Sequence, residues 1–319
     1  MLQHLEFLGK GEWAEYLPAY SPLHPTDFMA RLAAWIGNVR TDEDRQLLLE
    51  YARRINFFSH EDFLALYQAA FNGPITRWVV EQAGISLKDA NLSALLEAEL
   101  HRHTWYCPIT DSMDINEFYH VNHIKGVEHR PSFATLAMLD PTKKNGQPAL
   151  ATKLRNFMEK PDRNRFAKAR QLKRLVLLED FVGSGNQIKA AIKWAANWLG
   201  VPILVVPLVI CAPGIEALTQ LTSQLNGTVS AAPVVTVSAS ELLGLKCNNR
   251  NRWSKRSEME ALAKRVRSRV GGEDYLGYNQ TGCSVVTYSN APNNSLPLIH
   301  SKPSSGKKWR PLFPRSSRV

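Results

Sequence analysis

The sequence predicts an α/β protein, a mostly parallel sheet behind a helical N-terminal domain, with the boundary between residues 129 and 130. Three observations carry this. Residues 1 to about 100 place apolar side chains at helical spacing. From about residue 130 short apolar runs of strand length appear, and helical stretches separate them. Strands alternating with helices imply right-handed crossovers and parallel pairing.

In the front block, Thr41 with Asp44 and Ser59 with Asp62 have the spacing of capping pairs, in which a hydroxyl accepts an orphan amide at a helix start. Leu47, Leu48, Tyr51 and Ile55 then recur at helical spacing, as do Phe63, Tyr67 and Phe71. Asn72-Gly73-Pro74 is expected to end that second helix. Further on, strands are expected at 133–139 (ending in Asp140-Pro141), 175–178, 203–210, 234–237 and 284–288. Helices are expected at 188–199 and 215–225. A basic helix should start near Ser257, with Glu260 completing a capping box and Met259, Leu262, Val266 and Val270 on its apolar side. Residues 290–319, rich in Asn, Pro, Ser and Lys, are expected to form loop or lid.

Composition excludes several classes. With 44% hydrophobic and 21% charged residues over 319 positions, chain-wide disorder is ruled out. The most apolar stretch, 201–213, is broken by Pro202 and Pro207 and falls short of the roughly 20 residues a spanning helix needs, so no membrane span is expected. The opening MLQHLEFLGKGEW lacks the charged-then-apolar layout of an export signal. Cys107, Cys211, Cys247 and Cys283 lie far apart and form no disulfide framework. They read as small buried hydrophobes in a reducing cytoplasm.

The net charge of +10 is unevenly spread. Segments 151–174 and 246–269 each hold nine Lys or Arg against two acids, and the tail 300–319 holds six and no acid. Such a division suits a polyanionic partner, or else solvated helix faces and a loose tail. The basic helix, with Trp309 and Phe313 in the tail, would grip nucleic acid through phosphate contacts and stacking, unless those aromatics pack internally.

One segment carries specific chemistry: Leu175-Val176-Leu177-Leu178-Glu179-Asp180-Phe181-Val182-Gly183-Ser184-Gly185-Asn186-Gln187. An apolar strand runs into two acids and then into a small-residue turn that opens a helix. In open parallel sheets, ligands collect at the carboxyl ends of strands. Amides at a helix N-terminus favour an anion, and adjacent carboxylates accept hydrogen bonds from a vicinal diol. Diol beside phosphate describes a ribose 5-phosphate. The competing reading is a strand ending in acids that cap the next helix.

This pattern resembles the signature loop of type I phosphoribosyltransferases. The resemblance implies that Glu179 and Asp180 hold the ribose hydroxyls and act as the catalytic pair. It gives Gly183, Ser184, Gly185, Asn186 and Gln187 the 5-phosphate. A Gly-Ser-Gly turn stands where many members carry a Thr-Thr-Gly type, which keeps small residues and a hydroxyl. Residues 289–298, 309–315 and Cys107-Pro108-Ile109-Thr110-Asp111-Ser112, with the helical front block, resemble a bacterial branch of phosphoribosyltransferase-like effectors of antiphage conflict systems, including retrons. That likeness implies a cytoplasmic effector acting at C1′ of phosphoribosyl pyrophosphate or a nucleotide, with Mg²⁺ on the diphosphate. The implied partners are a reverse transcriptase with its RNA–DNA hybrid, or another defence-system subunit. The alternative is a non-catalytic nucleotide sensor, or a nucleic-acid-associated regulatory partner, using the same pocket.

In that family the pyrophosphate loop follows an earlier strand, which points to Asp140 and Lys143 as substrate-binding residues. The Asn-rich loop with Asn290, Asn293 and Asn294 follows the last strand and is expected to recognise a base or leaving group, or else simply to turn. Five of nine histidines (His101, His103, His120, His123, His129) fall near Cys107 and Asp111. His120-Val121-Asn122-His123 has an HxxH spacing, but no second ligand pair has a recognised zinc spacing, so structural or polar-contact roles are expected. A nuclease site joining Asn122-His123 to 247–250 would require far too long a separation.

Overall fold

A computed structural model describes residues 2–20, 27–124, 173–245, 253–271, 274–301 and 309–316. The expected strand at 133–139, the loop carrying Asp140 and Lys143, His129, and basic segment 151–172 lie outside them. The chain forms two compact units that do not follow a 129/130 boundary. One comprises 1–63 with 237–319, the other 64–236.

The first unit joins the two ends of the chain. Its N-terminal part contributes α1 (Leu2–Lys10), α2 (Phe28–Ile36), α3 (Asp42–Ala52), and the first residues of α4 (His60–Ala70). Asp27 caps α2 by accepting from the Ala30 amide at 2.7 Å, and Thr41 caps α3 by accepting from Asp44 at 3.2 Å, as its spacing predicts. Ser59 and Asp62 form the expected reciprocal pair. Strand β1 (Asn56–Phe58) pairs in parallel with the unit's second strand, Val285–Thr287, in a sheet of two. The 284–288 run therefore does not join the main sheet, a correction to the expected single sheet. The edge it pairs with instead, Asn56-Phe57-Phe58, is too short to stand out in sequence.

The basic helix of this unit, Arg256–Val270, buries Met259, Leu262, Val266 and Val270 as its spacing predicts. The expected capping box is absent. Lys255 is the N-cap, without a side-chain cap, and Glu260 accepts from the Tyr275 hydroxyl. Lys255 and Arg265 turn instead to acids of α3, Glu50 and Asp44. Residues 309–316 do not behave as a lid. Trp309, Leu312 and Phe313 are buried in the core with Trp13, Tyr16, Phe28 and Trp35. Phe313 meets Trp13 and Tyr16 edge to face at 5.3 and 5.1 Å. Rings buried this way present no face to a nucleic-acid base, so the expected stacking role of Trp309 and Phe313 is withdrawn.

His300, at the end of a four-residue helix (Pro297–His300), is buried and bonds the Ser295 carbonyl through Nε2 at 3.0 Å. Burial pushes its pKa down to about 4, against a raising effect of that hydrogen bond and with a further lowering by Arg315. The native state thus excludes a proton that the unfolded chain takes up below its ordinary value near 6.5. Stability is complete above that value and falls as pH drops toward 4, by about 3 kcal/mol for a shift of this size. His300→Gln keeps an amide donor and should flatten the pH dependence of urea unfolding between pH 6.5 and 4. A parallel offset at every pH would contradict this account.

The second unit is built on a sheet of β2 (Thr104–Pro108), β3 (Arg174–Val182), β4 (Ile203–Cys211) and β5 (Val229–Ala231). These pair in parallel in that order, and β6 (Val235–Val237) also pairs with β4. Every residue of β2, β3 and β4 is buried, the pattern of a parallel sheet covered on both faces. On one face Trp105, Cys107, Leu175, Leu177, Ile203 and Val205 pack on α8 (Asn186–Trp198) and α9 (Ala212–Gln224). From the other face Tyr106 meets Phe71 and Phe118. Pro207 is tolerated inside β4 because its missing N–H falls between the bonds to Ala232 and Val234, where β5 gives way to β6.

Asn72-Gly73-Pro74 does not end a helix. Residues Phe71–Ile75 form one π-helical turn that carries α4 into α5 (Thr76–Ala83), so the proline is accommodated by widening the helix. Among the described residues the unit's other α-helices are α6 (Leu92–Glu97) and α7 (Ile115–Val121). Glu99 fixes the start of β3. Burial raises its pKa, but hydrogen bonds from Lys173 and Arg174 outweigh this and hold the carboxyl below the ordinary range. No helix among the described residues is long and apolar enough to cross a membrane.

Candidate functional site

The acidic pair sits within β3 rather than after it. Pairing with β4 continues through Glu179↔Pro207 to Val182↔Ile210, because the equally long apolar β4 supplies partners that override the low strand preference of acids. On the other side β2 ends at Pro108, opposite Leu178. The Ile109 amide donates to the Leu178 carbonyl at 2.8 Å, and the chain then turns alongside Glu179 and Asp180.

This turn engages both acids. The Thr110 amide donates to Glu179 Oε2 at 3.0 Å and the Thr110 hydroxyl to Oε1 at 2.8 Å. The Ser112 hydroxyl donates to Asp180 Oδ1 at 2.8 Å, which also accepts from the Phe181 amide at 2.8 Å. The two hydroxyl oxygens lie 2.6 Å apart. Glu179 and Asp180 are only 2% and 9% exposed, so these donors replace water that the carboxylates would otherwise keep. The competing reading, acids that cap the next helix, is not what the structure shows. The N-cap of α8 is Gly185, with no side-chain cap.

Beyond Val182 the chain forms the Gly183-Ser184-Gly185 turn and enters α8 at Asn186. Gly185 has φ +78°, and a Cβ there would stand 2.9 Å from Ala217 Cβ on α9. Gly214, in the first turn of α9, lies so close that its own Cβ would meet the Gly183 carbonyl at 3.0 Å. Helix α9 thus presses the turn into place. Gly183, Ser184 and Gly185 are buried, whereas Asn186 and Gln187 are exposed at the N-terminus of α8, where the helix dipole favours an anion.

Asn290, Asn293 and Asn294 belong to the other unit. The Asn290 amide donates to Ser316 and its oxygen accepts from Ala291, while Asn294 donates to the Tyr278 carbonyl and the Thr281 hydroxyl. Both side chains are buried and brace their own loop. The Asn293 carbonyl accepts from the Tyr278 amide. The described histidines form no cluster. His120 and His123 are exposed, His101 packs on Phe71, and the described residues contain no group of three or more His, Cys, Asp or Glu placed to hold a metal ion. Sequence reasoning gave no role to Thr110 and Ser112. Their signal was two hydroxyl residues spaced by one, directly after the apolar run Trp105-Tyr106-Cys107-Pro108-Ile109.

A parallel sheet between helical layers, with an acid-bearing strand that runs through a glycine turn into a helix, defines a phosphoribosyltransferase-like α/β protein. The chain belongs to the PRTase-CE family, whose model matches residues 32–315. No curated protein and no solved structure matches it.

Proposed function

We propose that the protein is the effector of a bacterial antiphage system of retron type, binding a ribose 5-phosphate ligand and acting at its C1′. The ligand is phosphoribosyl pyrophosphate or a nucleotide. The observation that carries this is the continuity of β3, the glycine turn and α8, which sets two buried carboxylates next to a helix N-terminus without a side-chain cap. Glu179 and Asp180 hold the 2′- and 3′-hydroxyls, and the amides of residues 183–187 receive the phosphate. Departure of the C1′ substituent leaves an oxocarbenium-like sugar. The chain's part is to fix the ring and place carboxylate charge beside it.

Mg²⁺ fits as a companion of the diphosphate. Both carboxylates already accept from amide and hydroxyl donors, so they suit a diol, and the ion keeps mainly ligand and water oxygens. Exposed Lys264 and Arg267 support a polyanionic partner, such as a reverse transcriptase carrying its RNA–DNA hybrid or another defence-system subunit. The burial of both acids favours a second reading, a pocket that senses a nucleotide without turning it over.

The test is calorimetric titration of phosphoribosyl pyrophosphate with Mg²⁺ into the wild type and the Glu179→Ala/Asp180→Ala variant. Binding by the wild type that the variant loses is the expected result. Equal binding by both would remove the acids from the site. Turnover that disappears with the same substitutions separates the enzyme from the sensor.

A further inference from the structure

We infer that the Thr110 and Ser112 hydroxyls are an internal stand-in for the ribose diol, so that the chain holds its own carboxylates closed until a sugar displaces residues 110–112. This rests on the reading of Glu179 and Asp180 as diol-binding groups. The pair reproduces what a cis-vicinal diol offers. Two hydroxyl oxygens lie 2.6 Å apart, one donating to Glu179 and the other to Asp180, each at 2.8 Å. No other pairing of Thr and Ser side chains in the unit serves two acids in this way among the described hydrogen bonds.

The stand-in is also poorer than the ligand it imitates. Three oxygen contacts run from Glu179 through Thr110 and Ser112 to Asp180, and two hydroxyl protons serve only two of them at once. In a ribose the close approach of the two oxygens is imposed by covalent bonds, whereas here the fold must hold it. The hydroxyl-bearing residues 110–112 lie between buried Ile109 and Met113, so their withdrawal leaves the β2 ladder and the Ile109 to Leu178 bond in place and gives up the Thr110 amide bond to Glu179. Removing the hydroxyls takes one donor from each buried carboxylate, and a diol offers one to each in return.

The experiment titrates ribose 5-phosphate and 2-deoxyribose 5-phosphate into the full chain. It compares the wild type with Ser112→Ala, Thr110→Val/Ser112→Ala, Thr110→Ser and Glu179→Ala/Asp180→Ala, each first checked by thermal melting. The double hydroxyl variant should bind ribose 5-phosphate about tenfold tighter than the wild type, or bind it where the wild type does not. Ser112→Ala, the milder change, should move in the same direction. Thr110→Ser keeps the hydroxyl and should match the wild type, and the deoxy sugar should gain little in any chain. Equal or weaker binding by both hydroxyl variants overturns the stand-in and makes Thr110 and Ser112 supports of the acids. If wild-type binding is nonetheless lost in Glu179→Ala/Asp180→Ala, the diol reading survives that failure. Binding by no chain, or binding that survives loss of the acids, overturns both.

Discussion

Gly185→Val is expected to lower affinity for ribose 5-phosphate at least tenfold and to cost the second unit roughly 2–3 kcal/mol. Two effects add. The backbone at φ +78° disfavours any L side chain by about 1–2 kcal/mol, more for a β-branched one. The new Cβ would also lie 2.9 Å from Ala217 Cβ, against a helix whose Gly214 already touches the same turn. Relief requires the turn to move, and the turn carries the amides assigned to the phosphate. Adding Ala217→Gly returns the space without changing φ, so the double variant should recover part of the affinity. Calorimetry on the three chains checks this, and an unchanged dissociation constant for Gly185→Val would separate the turn from the ligand.

The largest loss of stability is expected from Trp309→Ala, about 3–5 kcal/mol by urea unfolding, the range for truncating a large buried aromatic. Trp309 is 2% exposed, packs in the core of the first unit, carries the Arg269 guanidinium over its ring, and donates to the Leu298 carbonyl at 2.8 Å. Trp35 donates to the same carbonyl at 2.7 Å. Trp309→Phe therefore keeps most of the packing and leaves Leu298 with one donor, so its cost should be about 1 kcal/mol. A midpoint unmoved by Trp309→Ala would mean that residues 309–316 are not part of the core.

The parallel sheet and the site strand were legible because they depend on local pattern. An unbroken apolar run such as Ile203–Cys211 announces a buried strand, and Glu179-Asp180 before Gly183-Ser184-Gly185 announces a strand-to-helix turn. The length of β3 was not legible, since only β4 beside it explains why acids continue a ladder. Strand β2 was hidden in a histidine-rich stretch, and with it the turn that reaches Glu179 and Asp180. The tail misled for the opposite reason. Its Lys, Pro and Ser content reads as loop, whereas three apolar residues, Trp309, Leu312 and Phe313, decide its place.

The discontinuity of the first unit has a consequence for synthesis. Residues 64–236 are complete in one stretch and can collapse while the ribosome is still translating, but the core around Trp13 and Trp35 waits for Trp309 and Phe313. Closing a loop this long costs little extra entropy but must be timed after everything between. A nascent chain stalled past residue 236 would thus hold the acid-bearing strand and its glycine turn before the core of the first unit, which needs Trp309 and Phe313, can form.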